Sequence, residues 1–95
     1  MARYSIIQDD LKECLVCKTT RNIHIHHIYQ GVANRKNSEK YHCIVALCAR
    51  HHNMSSAGIH YNKELDKKIK QLAQTTFEKN HTREEFREIF GKSFL

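Results

Sequence analysis

The sequence predicts a single α+β domain of 95 residues, in which two β-strands come before a helical C-terminal region and a cysteine-histidine knuckle staples the N-terminal half. Three observations predict this fold. Two short runs rich in β-branched residues, "RNIHIHHIY" and "YHCIVAL", have the length and composition of strands. Apolar residues beyond position 61 recur at helical spacing. Cysteines and histidines occur in pairs whose spacing is typical of metal ligands.

The two strands should lie over residues 21–29 and 41–47. The stretch between them, "QGVANRKNSEK" (30–40), is polar and predicts a loop. The stretch after the second strand, "ARHHNMSSA" (49–57), predicts a short helix that ends near Gly58.

The C-terminal region should form two helices. An amphipathic helix is predicted over residues 62–80, and a second one over residues 83–90. Thr82 and Glu85 have the spacing of a capping box at the start of the second helix, and Gly91 follows its end. The apolar positions expected to face the core are Leu65, Ile69, Leu72, Ala73, Thr76 and Phe77, then Phe86, Ile89 and Phe90. We therefore divide the single domain into residues 14–60, which carry the knuckle and strands, and a helical extension over residues 61–95.

Positive charge is concentrated around the histidines. The formal net charge is +6, and residues 18–50 contribute +5 of it, with six basic residues against the single acidic residue Glu39. This placement predicts a polyanionic partner, with Arg35, Lys36 and Arg50 as candidate phosphate contacts. The sequence has no secretory signal and no apolar run of membrane-spanning length, so we expect a cytoplasmic protein with reduced thiols and no membrane partner.

Two ligand pairs predict a structural zinc site. "CLVC" places Cys14 and Cys17 three positions apart, and "CARH" places Cys48 and His51 at the same spacing. Each pair spans one tight turn, so that two pairs supply the four corners of a tetrahedral Cys3His site. His52 is an alternative fourth ligand, but His51 preserves the two-residue spacing. Cys43 is left over and is expected to be a buried free thiol.

At this point the chain resembles the HNH nucleases, which are also called the His-Me finger or ββα-metal superfamily. The resemblance covers residues 14–60 and rests on "CLVC", "IHHI" and "LCARHHN" in this order. The chain looks most like small HNH proteins of phages and prophages, and more distantly like the RecA-dependent recombination-enhancement nuclease. The resemblance implies a zinc-stapled ββα-metal core with two C-terminal α-helices. It also implies a DNA endonuclease that acts in recombination or DNA processing, with a recombination protein as a possible partner.

The resemblance also implies roles for single histidines. His27 matches the general base, and His26 and His52 match ligands of a catalytic divalent ion (Mg²⁺, Mn²⁺, Ni²⁺ or Zn²⁺), with His60 as a third ligand. Adjacent side chains of a regular strand point to opposite faces, so the strand must end or bulge at the His26-His27 pair if both rings are to reach one phosphate. The remaining histidines, His24, His42 and His81, are expected to be bystanders.

Two positions depart from the family pattern. The asparagine that often comes before the second knuckle is missing, with Asn34 or Asn37 as substitutes, and Ser56 stands where colicin-type members have a histidine. The alternative interpretations are a zinc-ribbon module that binds DNA or a protein without catalysis, and an inactive HNH relic kept for its fold.

Overall fold

The computed structural model describes residues 3–54, 58–59 and 61–95. It is a small α+β fold with a two-stranded antiparallel sheet. In chain order the elements are β1 (Ile23–His27), α1 (Val32–Lys40), β2 (Ile44–Cys48), a π-helical turn (Arg50–Met54), α2 (Lys63–Phe77) and α3 (Arg83–Phe90). No helix among the described residues is long and apolar enough to cross a membrane.

Both predicted strands are present, and they pair in an unbroken register. Ile23 lies opposite Cys48, and His27 lies opposite Ile44. All five residues of β2 are buried, although a two-stranded sheet is marginal by itself. The N-terminal segment covers the second edge of β2: Leu15 N donates to Ala46 O at 2.8 Å, and Ala46 N donates to Gln8 Oε1 at 2.8 Å. The sheet is therefore stabilised by its surroundings.

The prediction of a loop over residues 30–40 is wrong, because most of this stretch is helix α1. Its buried side is polar rather than apolar, so no hydrophobic period marks it in the sequence. Ser38 is fully buried and exchanges hydrogen bonds with the Tyr29 backbone. Asn34 and Asn37 donate their amides to the carbonyls of Phe90 and Ile89, at the end of α3. Side-chain hydrogen bonds thus attach α1 where apolar contacts would normally do so.

The helical extension follows the prediction closely. Helix α3 spans Arg83–Phe90, the predicted range, with the Thr82–Glu85 capping box at its start and Gly91 in the left-handed conformation at its end. Helix α2 is shorter than predicted, Lys63–Phe77 instead of 62–80. Its buried face also differs at two positions, because Leu72 is half exposed whereas Gln74 is fully buried. The Gln74 amide bonds to Phe94 N, Ser93 Oγ and the Glu78 carboxylate, which explains its burial.

Tyr29 connects the sheet to the helical extension. It lies two residues beyond the end of β1 and is fully buried. Its ring packs against Phe86, Phe90 and Phe94 at centroid distances of 5.2, 4.4 and 5.2 Å. Its hydroxyl donates to the Lys70 carbonyl oxygen at 2.7 Å. The helices thereby hold the end of β1, where His26 and His27 lie.

Candidate metal centre and the adjoining histidine cavity

Four side chains predicted from spacing alone come together in one cluster. The Sγ atoms of Cys14, Cys17 and Cys48 and a ring nitrogen of His51 all lie within 4.8 Å of one another. The Cys17 and Cys48 sulfurs are 3.7 Å apart, and His51 Nδ1 lies 3.7 Å from the Cys14 sulfur and 3.2 Å from that of Cys48. A tetrahedral zinc site with Zn–S near 2.3 Å requires S···S separations of about 3.8 Å. The donor set and its spacing therefore fit a metal such as zinc.

The first half of this knuckle is a tight turn made by the backbone. Lys18 N donates to the Cys14 carbonyl at 3.0 Å, and Cys14 N donates to the Thr19 carbonyl at 2.8 Å. Lys18 adopts a positive φ of 65° to close the turn. Burial raises the pKa of the Cys14 thiol, but backbone N–H groups of Cys17, Cys48 and Val16 outweigh it and bring the pKa down to about 6. These contacts thus favour a thiolate at Cys14, the form that binds metal.

The second half of the knuckle begins at the end of the sheet. Cys48 is the last residue of β2, and His51 lies in the π-helical turn that follows. His51, rather than His52, supplies the ring nitrogen in the cluster, in agreement with the preferred spacing. The predicted short helix over residues 49–57 begins as this π-helical turn, and residues 55–57 lie outside the described residues. Cys43 is fully buried away from the cluster, and burial raises its pKa to about 12, as expected for an inert free thiol.

His52 turns away from the knuckle into a cavity of about 330 Å³ beside it. The cavity is lined by Ile25, His26, His27, Gln30, Arg35 and His52. β1 ends at His27, and its pairing with β2 continues regularly to that residue without a bulge. The adjacent histidines therefore occupy the last two positions of the strand, and both of them line the same cavity.

His52 has two histidine neighbours on β1. Its Nδ1 lies 3.0 Å from Nδ1 of His24, and its ring centroid lies 5.4 Å from that of His26. His24 was expected to be a bystander, yet its ring centroid lies 5.1 Å from that of His52. The period-two alternation of a strand places positions 24 and 26 on one face, and this signal in the sequence points to His24.

The remaining ligand candidates have different positions. His60 lies outside the described residues. Asn34 and Asn37 bond to α3, as described above, so the structure does not bring them to the cavity. Among the residues that the structure describes, one group of three or more potential ligands has all its donor atoms within 4.8 Å of one another, and this group is the knuckle. His26 and His52 therefore line the cavity outside this group.

A second cavity of about 330 Å³ adjoins the first on the side of α1. It is lined by His27, Val32, Arg35, Lys36 and Glu39. His27 and Arg35 line both cavities, so the two form neighbouring parts of one surface. Of the three predicted phosphate contacts, Arg35 and Lys36 lie here, whereas Arg50 is exposed at the start of the π-helical turn and lines neither cavity.

Glu39 is a site residue that the sequence did not single out. Its Oε2 lies 3.0 Å from His27 Nε2, and its two oxygens accept hydrogen bonds from Arg3 Nε at 2.7 Å and Nη2 at 3.0 Å. The Arg3 guanidinium holds the pKa of the Glu39 carboxyl below its usual value, with a smaller contribution from His27.

Comparison of the chain with protein-family models, curated proteins and solved structures finds no match.

Proposed function

We propose that this protein is a metal-dependent endonuclease of the HNH type, which hydrolyses phosphodiester bonds in DNA. The observation that carries the proposal is the meeting of His26, His27 and His52 at one cavity that Arg35 also lines. The Cys3His cluster supports it, because His51 of the cluster directly precedes His52 and holds it beside the end of β1. The resemblance of residues 14–60 to the ββα-metal core gives the proposal its reaction class.

The proposed mechanism divides the work between separate imidazoles. His27 accepts a proton from the attacking water through the lone pair of its unprotonated ring nitrogen. His26 and His52 would hold a divalent ion, which when bound supplies positive charge that stabilises the phosphate and the leaving oxygen. Imidazole ligands favour Zn²⁺ or Ni²⁺ among the candidate ions, whereas Mg²⁺ prefers oxygen ligands and would keep several waters. One ring cannot both bind the ion and accept the proton through the same nitrogen, so the division into two roles is chemically necessary.

The test is a nicking assay on supercoiled plasmid with Mg²⁺, Mn²⁺, Ni²⁺ or Zn²⁺ added separately to the zinc-loaded protein. We expect relaxed circles with at least one of these ions and none in excess chelator. A His27→Ala sample purified in parallel should leave the plasmid supercoiled, which excludes a contaminating nuclease. The proposal is wrong if no ion supports nicking, or if both proteins nick equally.

Arg35 should contribute to DNA binding through the phosphate backbone. Contacts of this kind are sequence-independent and weaken with salt. Arg35→Ala should therefore weaken the binding of unrelated duplexes to the same extent, and should reduce the slope of log affinity against log salt by about 1. Fluorescence anisotropy over a salt series measures both quantities. Arg87→Ala, on the exposed side of α3, is the matched control and should leave the slope unchanged.

A non-catalytic zinc-ribbon module is the second candidate. One observation favours it: among the described residues, the group of three or more potential ligands that lie close together is the Cys3His knuckle. This candidate requires one metal per chain and DNA retention without cleavage. Equilibrium dialysis distinguishes the two: a second ion that is lost in His26→Ala and His52→Ala supports the nuclease.

A further inference from the structure

Glu39 lies between Arg3 and His27 and contacts both of them. It is the one acidic residue of residues 18–50, a segment that otherwise carries six basic residues. Arg3 donates two hydrogen bonds to the carboxylate, from Nε to Oε1 at 2.7 Å and from Nη2 to Oε2 at 3.0 Å. The same Oε2 lies 3.0 Å from Nε2 of His27. The three side chains therefore form a continuous chain of hydrogen bonds that joins the N-terminal segment, α1 and the end of β1.

This contact determines which nitrogen of His27 carries the proton. An ionised carboxylate accepts hydrogen bonds but cannot donate one, so His27 Nε2 must be the N–H that donates to Glu39. In a neutral imidazole the other nitrogen then carries the free lone pair. For His27 that nitrogen is Nδ1. The hydrogen bond thus selects one of two tautomers that the isolated side chain would both populate.

The arrangement of the two cavities agrees with this choice. His27 lines both cavities, whereas Glu39 lines only the one that also contains Val32 and Lys36. Glu39 therefore holds the ring from the α1 side, away from the cavity that contains His26 and His52. The His27 side chain is 22% exposed, which leaves it accessible to water.

We propose that Glu39, oriented by Arg3, is a positioning residue that fixes His27 in the Nε2–H tautomer and makes Nδ1 the atom that accepts the proton. The catalytic part of this inference rests on the proposed nuclease function, whereas the tautomer does not. In the reaction the water O–H bond breaks and its proton moves to Nδ1, while the water oxygen bonds to phosphorus. The bond from phosphorus to the leaving 3′ oxygen breaks with its electron pair, and that oxygen takes a proton from solvent. Glu39 then faces an imidazolium whose positive charge it stabilises.

Glu39→Ala is the sharpest test because it removes the acceptor. No carboxylate then selects a tautomer, so His27 should populate both Nε2–H and Nδ1–H. Glu39→Gln is the conservative variant. Its single amide oxygen, at the Oε2 position, accepts from both Arg3 Nη2 and His27 Nε2, so the Nε2–H tautomer should remain.

Two-bond ¹H–¹⁵N correlation spectra of the zinc-loaded full chain report the tautomer directly. They should be recorded about two pH units above the ordinary histidine pKa, where imidazoles are neutral. We expect Nε2–H in the unsubstituted protein and in Glu39→Gln, and a mixture of the two tautomers in Glu39→Ala. Glu88→Ala, on exposed α3, is the matched control and should not change the His27 signals. An Nδ1–H tautomer in the unsubstituted protein, or unchanged His27 signals in Glu39→Ala, overturns the inference.

Kinetics provide the second readout. Glu39→Ala should lower kcat by about 10- to 100-fold, the usual effect of removing the group that orients a site histidine, with little change in KM. Glu39→Gln keeps the acceptor and should lose less activity than Glu39→Ala. A Glu39→Gln variant that keeps the tautomer but is as slow as Glu39→Ala overturns the positioning role. Absence of nicking by the unsubstituted protein contradicts the proposed function instead, and the spectra still decide the role of Glu39 in setting the tautomer.

Discussion

Replacing Cys48 with serine should abolish stoichiometric zinc binding and leave most of the chain unfolded at 37 °C. Cys48 belongs to the Cys3His cluster and is also the last residue of β2, opposite the first residue of β1. Structural zinc contributes about 10–16 kcal/mol of apparent binding free energy in small domains. That is comparable to the whole stability of an ordinary domain, about 5–15 kcal/mol. The cluster also joins the N-terminal segment to the end of the sheet, so its loss removes that connection.

Cys43→Ser is the matched control for this prediction. Cys43 is also buried, lies one residue before β2 and stands outside the cluster. Its replacement buries one hydroxyl and should cost about 1–3 kcal/mol. Zinc content by mass spectrometry and thermal unfolding by circular dichroism distinguish the two variants. Equal zinc content and equal melting temperatures in the two variants would show that the knuckle is not the staple of this fold.

Replacing His27 with alanine should lower the nicking rate by about 10²- to 10⁴-fold, the usual contribution of a general base. The side chain lies at the end of β1, is partly exposed and belongs to neither ligand pair of the knuckle. Zinc content, the free energy of unfolding and duplex affinity should therefore change little. Rate measurements under single-turnover conditions separate the chemical step from binding.

Exogenous imidazole provides a second test of this prediction. The space left by His27→Ala opens onto two cavities, so a free imidazole can enter and accept the proton in place of the missing ring. We expect partial recovery of nicking that saturates with imidazole concentration. His81→Ala is the control, because His81 stacks on Phe77 and lines neither cavity. If His81→Ala and His27→Ala lose the same activity, the role of His27 as base is contradicted.

The predictions from the sequence were confirmed where hydrophobic periodicity or ligand spacing reflects the local backbone geometry. Helix α3 was predicted over its full range because Thr82, Glu85 and Gly91 mark its ends and its apolar residues mark its buried face. The knuckle ligands were predicted because a two-residue spacing fits a tight turn with two donors. Helix α1 was missed because its buried side is built from serine and asparagine, which hydrophobic periodicity does not detect.

Glu39 and His24 show that contacts between distant segments could not be predicted from the sequence. Glu39 acquires its role only because α1, which the sequence did not predict, carries it to His27 while the N-terminal segment brings Arg3 to the same carboxylate. His24 contacts His52 because the π-helical turn sets the His52 ring beside it. Both contacts join residues more than ten positions apart, and no local pattern encodes them.

The sequence by itself determined the α+β class, the two strands, the C-terminal helices and the four side chains of the knuckle, because each of these depends on neighbours a few positions away. Only the tertiary structure decided that His26, His27 and His52 share a cavity, that β1 ends at the histidine pair without a bulge, and that Glu39 holds Nε2 of His27. The physical reason is that local periodicity sets which face a side chain occupies. The side chain that it meets across that face is set by the packing of segments distant in the chain.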